Sequence, residues 1–114
     1  MSEQEKKIIL LSAEGCGSGD DDLGFEILVT LLDNLVEQED KPLAIICWNT
    51  AVKLLAEGSP LLSRFRELED KGVSIVAGKL CAADLGLLDK IAIGKVATMD
   101  EILDLILHHS VVSL

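Results

Sequence analysis

Tyrosine is absent from this chain, and Phe25, Trp48 and Phe65 are its only aromatic residues. Three scattered rings cannot build a platform on which bases stack. Basic residues are scarce as well: 10 Lys+Arg stand against 20 Asp+Glu, a formal charge of −10. Phosphate backbones demand a positive face, so nucleic acid is excluded as a partner. Long hydrophobic runs are missing too. The longest, residues 43–48, falls far short of the roughly 20 residues that cross a bilayer, and no membrane association is expected. Nor does the opening Met1-Ser2-Glu3-Gln4-Glu5-Lys6-Lys7, mixed in charge, resemble a secretory signal. The three cysteines, Cys16, Cys47 and Cys81, are odd in number, far apart and without C-x-x-C spacing. A disulfide scaffold is therefore not expected, and a reducing cytoplasm fits this usage.

What is present suits one packed domain. The chain has 114 residues, 49% of them hydrophobic, and a domain of that length buries roughly two-thirds of its unfolded surface. A single domain over residues 1–114 is expected, with residues 1–6 as a disordered N-terminus. No internal repeat, linker or low-complexity tract interrupts it.

Residues 8–11, four apolar side chains in a row, predict a buried strand. The glycine-rich stretch that follows predicts a loop, and from Asp21 the apolar period changes to that of a helix. Leu23, Ile27, Leu28, Leu31, Leu32, Leu35 and Val36 mark one face of a helix ending near Gln38, with Ser18 or Asp20 as its cap. Pro42 breaks the chain before a second strand over 43–48. A short helix is predicted over 50–57, stopped by Gly58, and another opens on Ser59-Pro60 and closes at Gly72. Residues 73–77 predict the third strand, about 82–88 a short helix, and 91–96 a fourth strand weakened by Gly94. Thr98-Met99-Asp100-Glu101 has the spacing of a capping box, and residues 111–114 close the series as a strand. This alternation predicts an α/β fold with a parallel sheet and helices on both faces.

In open parallel sheets ligands sit beyond the carboxyl ends of the strands. Here those ends are residues 12–20, 49–53 and 78–81. Cys81 follows the third strand and is placed just before the predicted helix, where helical amides favour a thiolate; Lys79 stands near it. The alternative is that Cys81 merely fills space as a small apolar residue. Cys47 lies within a strand and belongs to the core. Cys16 is either an exposed bystander or a second thiol facing Cys81.

The loop Gly15-Cys16-Gly17-Ser18-Gly19 invites a phosphate reading, but no Lys-Ser/Thr pair follows it, and Asp20 stands where a dinucleotide fingerprint needs glycine. Three successive aspartates, Asp20 to Asp22, would repel a phosphate. Carboxylate spacing supports no metal site, and no cofactor is expected. A phospho-receiver domain needs an acceptor aspartate after the third strand, where Ala77-Gly78-Lys79 stands instead. His108 and His109 are neighbours on a helix and do not share a face for a metal.

Several short stretches, in order and at matching spacing, resemble the DsrE-like family. They are Gly19-Asp20 with Leu23-Gly24, Asn49 with Val52-Lys53-Leu54, Glu57-Gly58-Ser59, Leu68-Glu69 with Lys71-Gly72-Val73, Cys81 with Gly86-Leu87, Gly94-Lys95-Val96, and Met99 with Glu101-Ile102. The resemblance runs from about Lys7 to Leu114 and is greatest to the DsrE-like domain of YedF-type proteins, described as sulfurtransferase-like and linked to selenium metabolism. It implies a three-layer α/β/α sandwich around a five-stranded, mostly parallel sheet, assembled into oligomers. It also implies a persulfide on Cys81, with Asn49 and Lys53 on the same rim. The function expected is therefore a sulfur or selenium relay through Cys81, with Asn49, Lys53, Lys79, Cys16, Gly19 and Asp20 in support. Its partners would be further copies of the chain and a sulfur-donor or sulfur-acceptor protein. The alternative is a non-catalytic oligomeric binding module with a structural Cys81.

Overall fold

The apolar runs at 8–11, 43–48 and 73–77 supply strands, and the changes of period between them supply helical crossovers. The computed structural model describes residues 6–114, so the disordered N-terminus expected over 1–6 lies, but for Lys6, outside the described residues. In chain order the elements are β1 (Lys7–Leu11), α1 (Asp21–Glu37), β2 (Ala44–Cys47), a 3-10 segment (Asn49–Leu55), α2 (Leu62–Asp70), β3 (Ser74–Gly78), α3 (Lys79–Asp84), a 3-10 turn (Leu88–Lys90), β4 (Lys95–Ala97), α4 (Met99–His108) and β5 (Ser110–Ser113). The five strands lie in the order β4-β3-β2-β1-β5, and all pairings are parallel. Among the described residues, no helix is long and apolar enough to cross a membrane.

Handedness explains the layers. The connections from β1 to β2, β3 and β4 all step in one direction, and right-handed crossovers place them on one face of the sheet. Only the return from β4 to β5 steps backwards, so α4 lies alone on the other face. Two cores result. On the crowded face Leu28 and Leu32 of α1 and Phe65 and Leu68 of α2 pack against Leu11, Ile45 and Ile75. On the opposite face Ile102 of α4 covers Ile8, Ala44, Ile46 and Val76. β2 is buried throughout, whereas all four residues of β5 are exposed, unlike the doubly buried strand that its sequence predicts.

Local signals act as expected at the starts of α1 and α4. Asp20 Oδ1 accepts the Leu23 N–H at 3.0 Å and caps α1. Thr98 and Glu101 form the reciprocal capping box of α4. At the end of α4, His108 Nδ1 and His109 Nδ1 lie 2.7 and 3.0 Å from the carbonyls of Asp104 and Leu105.

Four boundaries differ from expectation. α2 begins at Leu62 without a side-chain cap, because Ser59 Oγ accepts the Leu61 N–H at 3.1 Å and holds a turn before it. The stretch expected as a helix over 50–57 is the tighter 3-10 segment. α3 starts at Lys79 rather than about Ala82, so Cys81 is inside the helix and not in front of it. The fourth strand starts late, at Lys95. Gly94 has φ +86°, which interrupts the extended backbone just before β4, and a Cβ there would come within 2.6 Å of the Ile75 carbonyl oxygen, so the position requires glycine. Ile91 instead bridges Ala56 antiparallel.

Candidate functional site

β2 stops at Cys47, and the next two residues build one wall of a cleft. Trp48 remains extended, with its N–H on the Leu11 carbonyl at 3.1 Å. Its indole Nε1–H donates to Ser12 Oγ, also at 3.1 Å, tying the end of β2 to the end of β1. Asn49 then turns with φ +53°, the single described non-glycine residue in the left-handed region. Asparagine tolerates that region better than most side chains, which makes this residue type suit the turn.

The turn aims the Asn49 N–H at sulfur. It donates to Cys81 Sγ at 3.0 Å, across 32 residues of chain. Cys81 is the third residue of α3 and is half-buried, reaching the rim because β3 ends at Gly78, beside the Trp48 Cβ. Trp48, Asn49, Leu80, Cys81, Asp84 and Leu85 line an open cleft of about 490 Å3. Leu80, 71% exposed, forms an apolar lip, and Asp84 supplies a carboxylate. A backbone N–H directed at sulfur becomes a charge-assisted hydrogen bond when the sulfur is anionic. The cleft thus presents one nucleophilic atom, one donor to it, and a mouth that is apolar and acidic.

The other expected residues are dispersed around this rim. Lys53 is exposed on the 3-10 segment, and Lys79 is exposed at the start of α3. Lys79 acts on Glu101, whose carboxyl is held low chiefly by the Thr98 backbone N–H, with lesser help from the Thr98 hydroxyl, Lys95 and Lys79. Asp20 is occupied as the α1 cap, and Gly19 supplies a left-handed turn before it. Cys16 is not in the cleft that holds Cys81. Its loop folds back onto α1, with the Cys16 N–H on the Gly24 carbonyl at 3.0 Å, an approach that leaves no room for a Cβ at Gly15. Partial burial raises the Cys16 thiol pKa above its usual range. Glu14, Asp21, Asp22 and Thr50 line the hollow beside that loop, which is as unfavourable to anions as the aspartate run predicts.

Cys47 is fully buried, and burial pushes its thiol up to about 12. It is core, as expected. No cluster of three or more metal-ligating side chains occurs among the described residues. The sequence reading missed Trp48, Leu80, Asp84 and Leu85. Trp48 stands at the end of an apolar run and reads as strand; only its position just before the rim could have marked it.

No protein-family model matches the chain, and no curated protein matches it. Solved structures do. The chain is similar to MTH1491 from Methanobacterium thermoautotrophicum, a protein of unknown function, at 12% identity and a TM-score of 0.71, over 97% of this chain and 100% of that one. It is similar to the YchN protein of E. coli at 18% identity and a TM-score of 0.72, with 97% and 100% covered. BT1422 from Bacteroides thetaiotaomicron, a conserved protein of unknown function, matches at 23% identity and a TM-score of 0.69, with 96% and 95% covered. At such identities the likeness establishes architecture alone, and the architecture is a DsrE-like fold.

Proposed function

We propose that this chain is a sulfur- or selenium-relay protein, akin to YedF-type proteins, which carries sulfane sulfur as a persulfide on Cys81 and delivers it to a thiol of a protein partner. One observation carries the reading: Cys81 Sγ, at an open cleft, accepts an N–H from a residue held in the left-handed region. In the loading step the Cys81 thiolate attacks the outer sulfur of a donor persulfide. An S–S bond forms to Cys81, the donor's S–S bond breaks, and the donor leaves as a thiolate. In delivery an acceptor thiolate attacks the outer sulfur on Cys81, which departs as thiolate. Neither step needs an external oxidant. The exposed Leu80 and the Asp84 carboxylate favour a polypeptide donor or acceptor over a small anion, since the mouth offers apolar area and negative charge. A reducing cytoplasm would keep the relay thiol free between cycles.

The test is to load the protein from a cysteine persulfide donor and weigh it intact. Wild type and Cys16→Ser are expected to gain the mass of one sulfur atom, and Cys81→Ser is expected to gain none. Uptake that survives Cys81→Ser, or no uptake by the wild type, overturns the reading.

A further inference from the structure

The two edges of the sheet are not alike. β4 is short, only Lys95–Ala97, and opens with an exposed lysine, a charge of the kind that discourages edge pairing. β5 has neither charge, proline nor glycine in Ser110–Ser113, and Val111 and Val112 are both well exposed. Among the described residues its only strand neighbour is β1. The hydrogen bonding of β5 shows which groups face away from the sheet. Leu114 N–H donates to the Leu10 carbonyl, and in a parallel ladder alternate residues point the same way. Val112 and Leu114 therefore turn their backbone groups to β1, while Val111 and Ser113 turn theirs outward. An outward-facing, β-branched and unguarded strand is a template for another strand.

We propose that β5 is a self-pairing edge through which two copies of this chain join in one continuous sheet, antiparallel across a two-fold axis at Val112. The register follows from hydrogen-bond parity. In antiparallel pairs, directly opposed residues are either both hydrogen-bonded or both not. With Val112 on the axis, Val111 of each copy faces Ser113 of the other, and the outward N–H and C=O groups of both residues are all satisfied. Val112 then meets its own counterpart as a non-hydrogen-bonded pair.

The flanking surface suits a second copy. Val112 and Leu114 line an apolar groove of about 440 Å3 with Ile9, Leu31 and Leu35, and the axis brings the two grooves together. Charges at this groove are nearly balanced, Lys6, Lys7 and Lys41 against Glu39 and Asp40, although the chain as a whole carries −10. The acidic excess of the chain is therefore not concentrated at this groove, and unlike charges are available to both copies.

Sedimentation of the full chain is expected to show twice the chain mass. The substitution Val112→Lys, which sets two ammonium groups face to face on the axis, is expected to halve that mass with the circular dichroism spectrum unchanged. A crosslink tests the register even if that variant folds poorly. With Cys16 and Cys81 replaced by serine, Val112→Cys is expected to give a disulfide-linked dimer on mild oxidation, because opposed residues of a non-hydrogen-bonded pair lie about 4.5 Å apart at Cα. Val111→Cys is expected to give none, since its counterpart lies two residues out of register, beyond the roughly 7 Å limit for a disulfide. A wild-type monomer, an oligomer indifferent to Val112→Lys, or equal crosslinking from both positions overturns the proposal.

Discussion

Cys47 ends one strand, Cys81 lies just beyond the end of its neighbour, and the two meet opposite fates. Cys47 pairs with Ala77 across the β2–β3 ladder; Cys81 follows only four residues beyond that Ala77. The first sulfur is sealed under α1, α2 and the 3-10 segment, and its thiol is pushed up to about 12. The second clears the sheet, turns into α3 and meets a backbone donor. A short length of chain past a strand end thus separates an inert thiol from an accessible one. Burial, not residue type, decides which can react.

The sharpest way to break this contrast is to exchange each sulfur for a hydroxyl. Cys47→Ser is expected to cost about 1–3 kcal/mol, because a hydroxyl would be desolvated among aliphatic neighbours. Cys81→Ser is expected to stay within about 0.5 kcal/mol, as its site is at the rim. Denaturant titration measures both. The same pair differs in alkali: Cys47 rises from an ordinary 9.0 to about 12 in the folded chain. A folded-state pKa above the unfolded one gives stability that is complete below pH 9 and is lost as pH climbs towards 12. That loss should disappear in Cys47→Ala and persist in Cys81→Ser.

Next in size is the backbone at Asn49. Asn49→Val forces a β-branched side chain to φ +53° and is expected to cost about 1–2 kcal/mol. It should also slow alkylation of Cys81 by withdrawing the N–H from sulfur. Asn49→Gly preserves both the turn and the donor, and should keep the wild-type alkylation rate. Equal rates in the two variants would show that the turn does not serve the sulfur.

The smallest effect contrasts the rim with the capped helix on the other face. Thr98→Ala is expected to cost about 1 kcal/mol by opening the capping box of α4. Glu101 is held low chiefly by the Thr98 backbone N–H. A depressed folded-state pKa gives stability that is present above the unfolded value and is lost as pH falls through the folded one. Melting curves in acid should therefore show a decline that Glu101→Gln flattens.

Much of the architecture was legible because it depends on local rules. Apolar runs at 8–11 and 43–48 marked central strands, and Asp20 and the Thr98–Glu101 spacing marked helix starts. The misses came from long-range contacts and from starts that carry no local signal. Gly94 ends up against Ile75, so β4 is shorter than its apolar composition suggests. α3 has no capping side chain at Gly78 to announce its start. Within the candidate site, Cys81 and Asn49 were visible as rim residues, but their hydrogen bond was not. It depends on φ at one residue and on the β2–β3 pairing, which brings up a sulfur 32 positions along the chain. Leu80, Asp84 and Leu85 look like ordinary helix residues until the end of β2 is laid beside them.

The strand order has a consequence for synthesis. β1 lies between β2 and β5, and its Lys7 registers with Ser110, almost the whole chain apart. On the ribosome β1 can recruit β2 early, yet its other flank stays open until the last strand has emerged. Throughout that interval Ile8 and Leu10 line an unfinished edge, at which the nascent chain is open to mispairing.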